Sequence, residues 1–112
     1  MKSWRGSGHR DDSNSLSIAQ REFVEAIEWY QARGARLAAE FVDEYERALH
    51  EIQRRPQQFA RAEVAQSSRD IRQVLMRRFP YIVYFELTVD EAVILAVSHA
   101  AREPGYWLEG RT

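Results

Sequence analysis

The apolar positions of this chain follow a helical period in its first half and form short β-rich runs in its second half. The first helix is predicted by apolar residues that recur every three to five positions: Ile18, Phe23, Ala26, Ile27 and Tyr30. Ser17 and Gln20 have the spacing of a capping box at its start, and Gly34 suits the left-handed position that ends a helix. These signals predict one amphipathic helix between Ser17 and Gly34.

A second amphipathic helix is predicted directly after Gly34. Its apolar stripe consists of Leu37, Phe41, Tyr45, Ala48, Leu49 and Ile52. Arg55-Pro56 closes the helix, because proline disfavours helical backbone at the residue before it. The connection between the two helices is short, so we expect an antiparallel helical hairpin.

The remaining pattern predicts a polar loop and three strands. Residues 56–68 form the loop, with Phe59 as its apolar anchor. The strands, rich in β-branched and aromatic residues, are predicted at roughly 70–78, 81–88 and 92–98. Phe79-Pro80 and residues 88–91 separate them. The predicted fold class is α+β, with an N-terminal antiparallel helical hairpin packed on a small antiparallel β-sheet of three or four strands.

Both faces of the predicted strands are largely apolar. The apolar pairs that share a face are Ile71 with Leu75, Val74 with Met76, Val83 with Phe85, and Ile82 with Tyr84. A sheet with one face in water would alternate apolar and polar residues. The helical hairpin can cover one face. The other face is expected to meet the C-terminal segment, a second chain or a partner peptide.

Length and composition allow one soluble domain. The chain has 112 residues, 45% of them hydrophobic and 29% charged, and it contains no cysteine, which excludes disulfides and thiolate sites. No apolar run approaches the roughly 20 residues of a membrane span, and the N-terminus lacks the apolar region of a secretory signal, so a cytoplasmic location is expected. Residues 1–14 are predicted to be a mobile tail and residues 15–112 the folded domain.

The charge pattern does not favour direct binding to nucleic acid. The net charge is −1, and the basic residues are most concentrated in residues 56–81, where five Arg accompany two acids. This falls short of a strongly basic footprint. His9, His50 and His99 lie too far apart in sequence to indicate a metal site. No phosphate-binding loop or nucleophile motif occurs, so neither a metal nor a cofactor is expected.

Three segments carry a resemblance to a known family. They are Glu25-Ala-Ile-Glu-Trp-Tyr, Arg77-Arg-Phe-Pro-Tyr-Ile-Val-Tyr-Phe and Val97-Ser-His-Ala-Ala-Arg-Glu-Pro-Gly-Tyr-Trp. In this order and at these intervals they resemble the RelE/ParE superfamily of toxins from bacterial toxin–antitoxin systems, and the sequence looks closer to the ParE-like, plasmid-stabilisation branch. Family members usually open with a short strand. Here that strand is either a vestigial pairing at Leu16–Ile18 or missing, because the residues before Leu16 are poor strand formers.

The resemblance implies a toxin that is neutralised by a cognate antitoxin protein, with a homodimer formed through the toxin–antitoxin complex as one arrangement. It also implies inhibition of DNA gyrase by binding, which favours a protein that is not an enzyme. The alternatives are a ribosome-dependent mRNA endonuclease, as in RelE-like members, and an inactive homologue that retains only antitoxin binding. The candidate catalytic residues of the nuclease are His99, Arg102, Arg78 and Arg72.

Each nuclease candidate also has a simpler structural interpretation. His99 is interpreted first as a structural histidine at a strand end that is hydrogen-bonded to backbone, and second as an acid–base group. Arg102 either clamps a phosphate or carboxylate or pairs with Glu103 or Glu86. Arg77 and Arg78 are expected on opposite faces of an extended strand, so that only one of them can point at a given site.

Aromatic and charged residues outside the predicted core suggest contacts with a partner. The candidates for partner binding are Trp29, Arg77, Tyr84, Tyr106 and Trp107, because Trp, Tyr and Arg are enriched at interface hot spots. Tyr30 is assigned to the core, whereas Trp29 lies off the apolar stripe of its helix. The acidic run Glu40, Asp43, Glu44 and Glu46 is predicted to be the solvated face of the second helix.

Overall fold

The computed structural model describes residues 17–62 and 68–102. Its elements are α1 (Ile18–Gln31), α2 (Ala35–Arg54), a short 3₁₀ turn (Pro56–Gln58), β1 (Ile71–Leu75), β2 (Tyr81–Leu87) and β3 (Ala92–His99). A helical hairpin therefore precedes three strands, which confirms the predicted α+β fold class. Neither of the two described α-helices combines the length and the apolar character that a bilayer span requires. The predicted tail, residues 1–14, lies outside the described residues.

The helix boundaries follow the sequence signals, with corrections at Gly34 and Ile18. Ser17 and Gln20 exchange side-chain-to-backbone hydrogen bonds of 3.0 and 3.1 Å, so the capping box is confirmed. Gly34 is the N-cap of α2, with φ 150° and ψ 131°, rather than the left-handed residue that ends α1. Its positive φ still favours glycine. Ile18 is the first residue of α1 and not part of an opening strand, while Leu16 lies outside the described residues.

An aromatic cluster joins the helical hairpin to the sheet. Phe41 of α2 is fully buried, and its ring packs edge-on against Phe79 and Tyr81 with centroid distances of 5.3 Å. The same ring stacks on Tyr30 of α1 at 5.2 Å. One set of rings therefore connects both helices to the start of β2, and Tyr30 belongs to the core as predicted.

The strands form one antiparallel sheet in the order β1-β2-β3. Strand β1 is shorter than predicted, because it ends at Leu75 and residues 76–80 form the turn to β2. In the β2–β3 pair, Tyr84 lies opposite Ala96 and Phe85 opposite Ile94. Leu95 therefore has no direct partner and forms a bulge. The register places His99, at the end of β3, beside Tyr81, at the start of β2.

Both faces of the sheet contribute to buried clusters. The face toward the helices contributes Val74, Met76, Val83, Phe85, Ile94 and Val97. The opposite face contributes Ile71, Tyr84, Leu95 and Ala96, which are only 0–3% exposed. This agrees with the assignment of apolar pairs to opposite faces. Leu75 is the exception, because it is 65% exposed at the end of β1.

Candidate functional site

A cleft of about 440 Å³ lies between α1 and the end of the sheet where β2 begins and β3 ends. Its lining residues are Glu22, Glu25, Ala26, Trp29, Tyr30, Pro80, Tyr81, Val97, His99 and Arg102. The helical contribution comes from spacings of three and four residues along α1, which place side chains on one face. The strand contribution follows from the pairing of Tyr81 with His99.

Glu22 connects the helix to the sheet inside this cleft. Its Oε1 accepts a hydrogen bond of 2.7 Å from the backbone N–H of Val97 in β3. Burial raises the pKa of Glu22 from 4.5 to about 7, although this hydrogen bond and the positive charge of Arg102 both lower it. The charge of Glu25 raises the pKa further, and that of Arg21 lowers it. Glu22 is therefore a carboxyl group that changes charge near neutral pH.

His99 is held at the end of β3 by local contacts. Its Nδ1 accepts a hydrogen bond of 3.1 Å from the backbone N–H of Ala101, and its carbonyl oxygen accepts one of 2.9 Å from the N–H of Arg102. The imidazole packs edge-on against the ring of Tyr81 at 5.2 Å. These are the backbone hydrogen bonds that the structural interpretation of His99 predicts.

Trp29 forms an exposed aromatic wall of the cleft. The residue is 51% exposed, and its ring meets that of Tyr30 edge-on at 5.1 Å. The guanidinium carbon of Arg33 lies 3.3 Å from the centroid of the Trp29 ring, and Arg33 Nη1 donates a 2.9 Å hydrogen bond to the Trp29 carbonyl oxygen. The position off the apolar stripe thus leaves Trp29 accessible, as a partner-binding residue requires.

Arg72 lies far from this cleft, at the opposite corner of the sheet. It is paired with Phe85, near the end of β2, whereas His99 is paired with Tyr81, at the start of β2 and on its other side. The guanidinium binds the Asp70 carboxylate at 3.0 and 3.3 Å. Its Nη1 also donates to the carbonyl oxygens of Gln57 and Phe59. Arg72 therefore ties the loop after α2 to β1.

Arg77 and Arg78 lie in the β1–β2 turn, so the prediction that they occupy opposite faces of a strand is wrong. Arg78, with φ 69°, reaches α2 and places Nη2 2.9 Å from Glu40 and Nη1 4.0 Å from Glu44. Arg77 lies 3.8 Å from Glu51 of the same helix. A turn that closes directly after Leu75 explains the difference, because the chain reverses before either arginine can extend β1.

The acidic run on α2 is not uniformly solvated, which corrects a second expectation. The side chain of Glu44 is only 9% exposed and lies 3.3 Å from Arg47 Nε. Its Oε1 has no hydrogen bond of good geometry. Glu44 is instead held between Arg47 and Arg78, so it belongs to the packing of the turn against the helix.

The remaining candidate residues differ in their positions and contacts. The carboxylate of Glu86 accepts two hydrogen bonds from Arg69, of 2.8 Å from Nη2 and 3.1 Å from Nε. This pair takes the place of the predicted alternative, a pair between Glu86 and Arg102. Arg102 lies in the cleft with His99, so these two nuclease candidates do meet. Tyr84 is 3% exposed and offers little surface to a partner. Glu103, Tyr106 and Trp107 lie outside the described residues.

Glu22 and Glu25 are the site residues that the sequence analysis missed. Their spacing relative to Trp29 was a usable signal, because positions three, four and seven residues apart share one helix face. Glu22 also lies four residues from both Ile18 and Ala26 of the apolar stripe, which places its carboxylate beside the buried face. Among the described residues, no group of three or more His, Asp or Glu side chains is arranged to hold a metal ion.

Comparisons with known proteins give one match. The family model described as the ParE toxin of the type II toxin–antitoxin system parDE matches residues 17–104. No curated protein and no solved structure gave a significant match. The matched range includes both described α-helices, all three described strands and every described residue that lines the cleft.

Proposed function

Because the chain belongs to the ParE toxin family of type II toxin–antitoxin systems, we propose that it is a toxin that is neutralised by a cognate antitoxin and that inhibits DNA gyrase by binding it. A homodimer formed through the toxin–antitoxin complex is part of the proposal. Gyrase acts on DNA in the cytoplasm, so the proposal also assigns the toxin to that compartment. No catalytic step of its own is required for this action.

The observation that carries the proposal is that two of the four nuclease candidates, Arg72 and Arg78, do not line the cleft that contains His99 and Arg102. Cleavage of a phosphodiester needs cations and a proton-transfer group around one phosphate. Arg72 and Arg78 are instead engaged in ion pairs at different places, with Asp70 and with Glu40. A binding toxin needs no such convergence, so this arrangement favours gyrase inhibition over RNA cleavage.

The charge of the cleft supports the same choice. His99 and Arg102 share it with Glu22 and Glu25. The carboxyl groups beside Arg102 disfavour a polyanion, and each RNA phosphate that a protein binds normally needs its own cation. The cleft is therefore poorly suited to a messenger RNA backbone, even though it contains a histidine and a carboxyl group that titrates near neutral pH.

A pair of assays tests the proposal. Purified chain is titrated into gyrase acting on relaxed plasmid, and separately into translating ribosomes with a defined messenger RNA. We expect loss of supercoiling or accumulation of cleaved plasmid, and intact message. Heat-denatured chain and a type I topoisomerase reaction serve as controls for nonspecific effects.

Two results would contradict the proposed target. Codon-specific cleavage of the message, abolished by His99→Ala or Arg102→Ala, would establish the nuclease instead. A folded chain that affects neither gyrase nor message would identify an inactive homologue that retains only antitoxin binding.

A further inference from the structure

The cleft between α1 and the sheet combines negative charge with aromatic walls. Glu22 and Glu25 stand almost one helical turn apart on the same face of α1, and Trp29, Tyr30 and Tyr81 supply three aromatic rings. Its volume of about 440 Å³ is large enough for a long side chain. Carboxylates next to aromatic faces are the surroundings that a planar cation prefers.

Glu22 is positioned in advance for such a cation. The 2.7 Å hydrogen bond from the Val97 N–H fixes one carboxylate oxygen on the sheet. Burial disfavours the ionised form of this carboxyl, so an additional positive charge in the cleft would stabilise it. Glu25 is exposed beside it and offers a second carboxylate.

Trp29 already binds one guanidinium group in this structure. Arg33 stacks on its ring with 3.3 Å between the guanidinium carbon and the ring centroid. Trp29 is about half exposed and lines the cleft, so part of its side chain is accessible from there. The contact with Arg33 shows that the Trp29 ring can stack with a guanidinium group.

The charges that line the cleft favour a cation over an anion. The carboxyl groups of Glu22 and Glu25 line the cleft together with the guanidinium of Arg102. An anionic ligand would have to approach both carboxylates in order to reach Arg102. A cation would gain from both carboxylates and would be opposed by Arg102, by Arg21 and by Arg33, whose guanidinium already lies on the Trp29 ring.

We propose that this cleft is a subsite for an arginine side chain of the antitoxin, whose guanidinium pairs with Glu22 and Glu25 and packs against Trp29. The inference rests on the proposed function, because it takes the antitoxin as the partner. Arginine is preferred to lysine because a planar fork can bind a carboxylate at two points and stack on a ring at the same time.

The test is an NMR titration of the full chain with N-acetyl-arginine methylamide, followed at the assigned Trp29 indole N–H and the Val97 amide. The uncharged analogue N-acetyl-citrulline methylamide has nearly the same shape and serves as the matched ligand. We expect saturable binding of the arginine probe and none of the citrulline probe at equal concentration. Saturating arginine should also lower the pKa of Glu22, measured from its carboxyl carbon shift.

Four variants locate the interaction. Glu22→Gln and Glu25→Gln should each weaken binding of the arginine probe by about fivefold or more, as expected for loss of one charged partner. Glu28→Gln removes the same charge from an exposed position of α1 that does not line the cleft, and should leave affinity within about twofold. Arg102→Gln should strengthen binding, because it removes the opposing charge. Because Glu25 is exposed, its variant remains informative even if Glu22→Gln fails to fold.

Opposite results would overturn the proposal. Equal binding of citrulline, or arginine binding that survives the change of both carboxylates, would show that charge recognition is absent. Binding of inorganic phosphate at the same signals, weakened by Arg102→Gln, would show an anion site. The gyrase assay separates the two proposals: inhibition without arginine binding disproves the subsite alone, and arginine binding without inhibition disproves the gyrase target alone.

Discussion

At the scale of single residues, the hydrogen bond and the burial of Glu22 act on its charge in opposite directions. The Val97 N–H stabilises the carboxylate, whereas removal from water destabilises it, and burial is the larger effect. The other charges that face this group are Arg21 and Glu25 on α1 and Arg102 after β3. Arg102 and Arg21 lower the pKa and Glu25 raises it, but burial is the largest effect, so the pKa remains raised to about 7.

This raised pKa predicts a stability that decreases as pH rises. The folded state holds a proton on Glu22 between pH 4.5 and about pH 7, where the unfolded chain has released it, so stability is greatest below this window and is lost through it. Glu22→Gln should remove that pH dependence, because the amide oxygen can still accept from the Val97 N–H without carrying a charge. Allowing for solvent screening of this partly exposed group, we expect the variant to be more stable than the parent by about 1–2 kcal/mol above pH 7.

Urea unfolding on both sides of the window measures this effect. Glu28→Gln is the control, since it removes the same charge from an exposed position of α1 that does not line the cleft. A parent chain that gains stability as pH rises through the window would show that the hydrogen bond outweighs burial at Glu22.

At the scale of elements, the β1–β2 turn is attached to α2 by two adjacent arginines in different surroundings. Arg78 lies 2.9 Å from Glu40 and also approaches Glu44, whose side chain is 9% exposed. Arg77 lies 3.8 Å from Glu51, and both of those side chains are at least one-third exposed. The same change at two neighbouring positions therefore compares a partly buried ion pair with a surface pair.

Arg78→Gln is predicted to cost about 1–3 kcal/mol of unfolding free energy, because it leaves Glu44 with less compensation for its burial. Arg77→Gln should change the free energy by no more than about 0.5 kcal/mol, as surface pairs usually do. Chemical denaturation of both variants gives the comparison. Equal decreases in the free energy of unfolding for the two variants would mean that Arg47, which lies 3.3 Å from Glu44, compensates the charge of Glu44 by itself.

The sequence predicted the helices better than the turns. Periodicity and the capping box at Ser17 located α1, because these are local signals. The end of β1 was misplaced because Met76 continues the apolar pattern of the strand and no glycine or proline lies between the strand and Pro80 to mark the turn. Gly34 was assigned to the end of α1 rather than to the start of α2, because glycine is common at both positions and the connection between the helices is short. The cleft was not predicted because it depends on a hydrogen bond between Glu22 and Val97, which lie far apart in the sequence. Local sequence patterns do not indicate which distant elements pack together.

At the scale of the whole molecule, the packed core and the cleft share side chains. Tyr30 and Tyr81 line the cleft and also contact the ring of Phe41, which is fully buried between them and Phe79. The cleft is thus built on the same cluster that joins the hairpin to the sheet. A substitution at Phe41 should therefore alter both the free energy of unfolding of the domain and the geometry of the cleft.

Phe41→Ala is therefore predicted to have two measurable effects. The loss of a fully buried ring should lower the free energy of unfolding by about 3–5 kcal/mol, a large part of the roughly 5–15 kcal/mol that holds a small domain together. In the fraction that remains folded, Tyr30 and Tyr81 lose their common neighbour, so binding of the arginine probe should also weaken.

Leu75→Ala is the control, because this leucine is 65% exposed and does not line the cleft. It should cost no more than about 0.5 kcal/mol and leave probe affinity unchanged. If Phe41→Ala destabilised the chain by the expected amount but left arginine affinity intact, the site would depend on the carboxylates and Trp29 alone, and the coupling between core and cleft would be wrong.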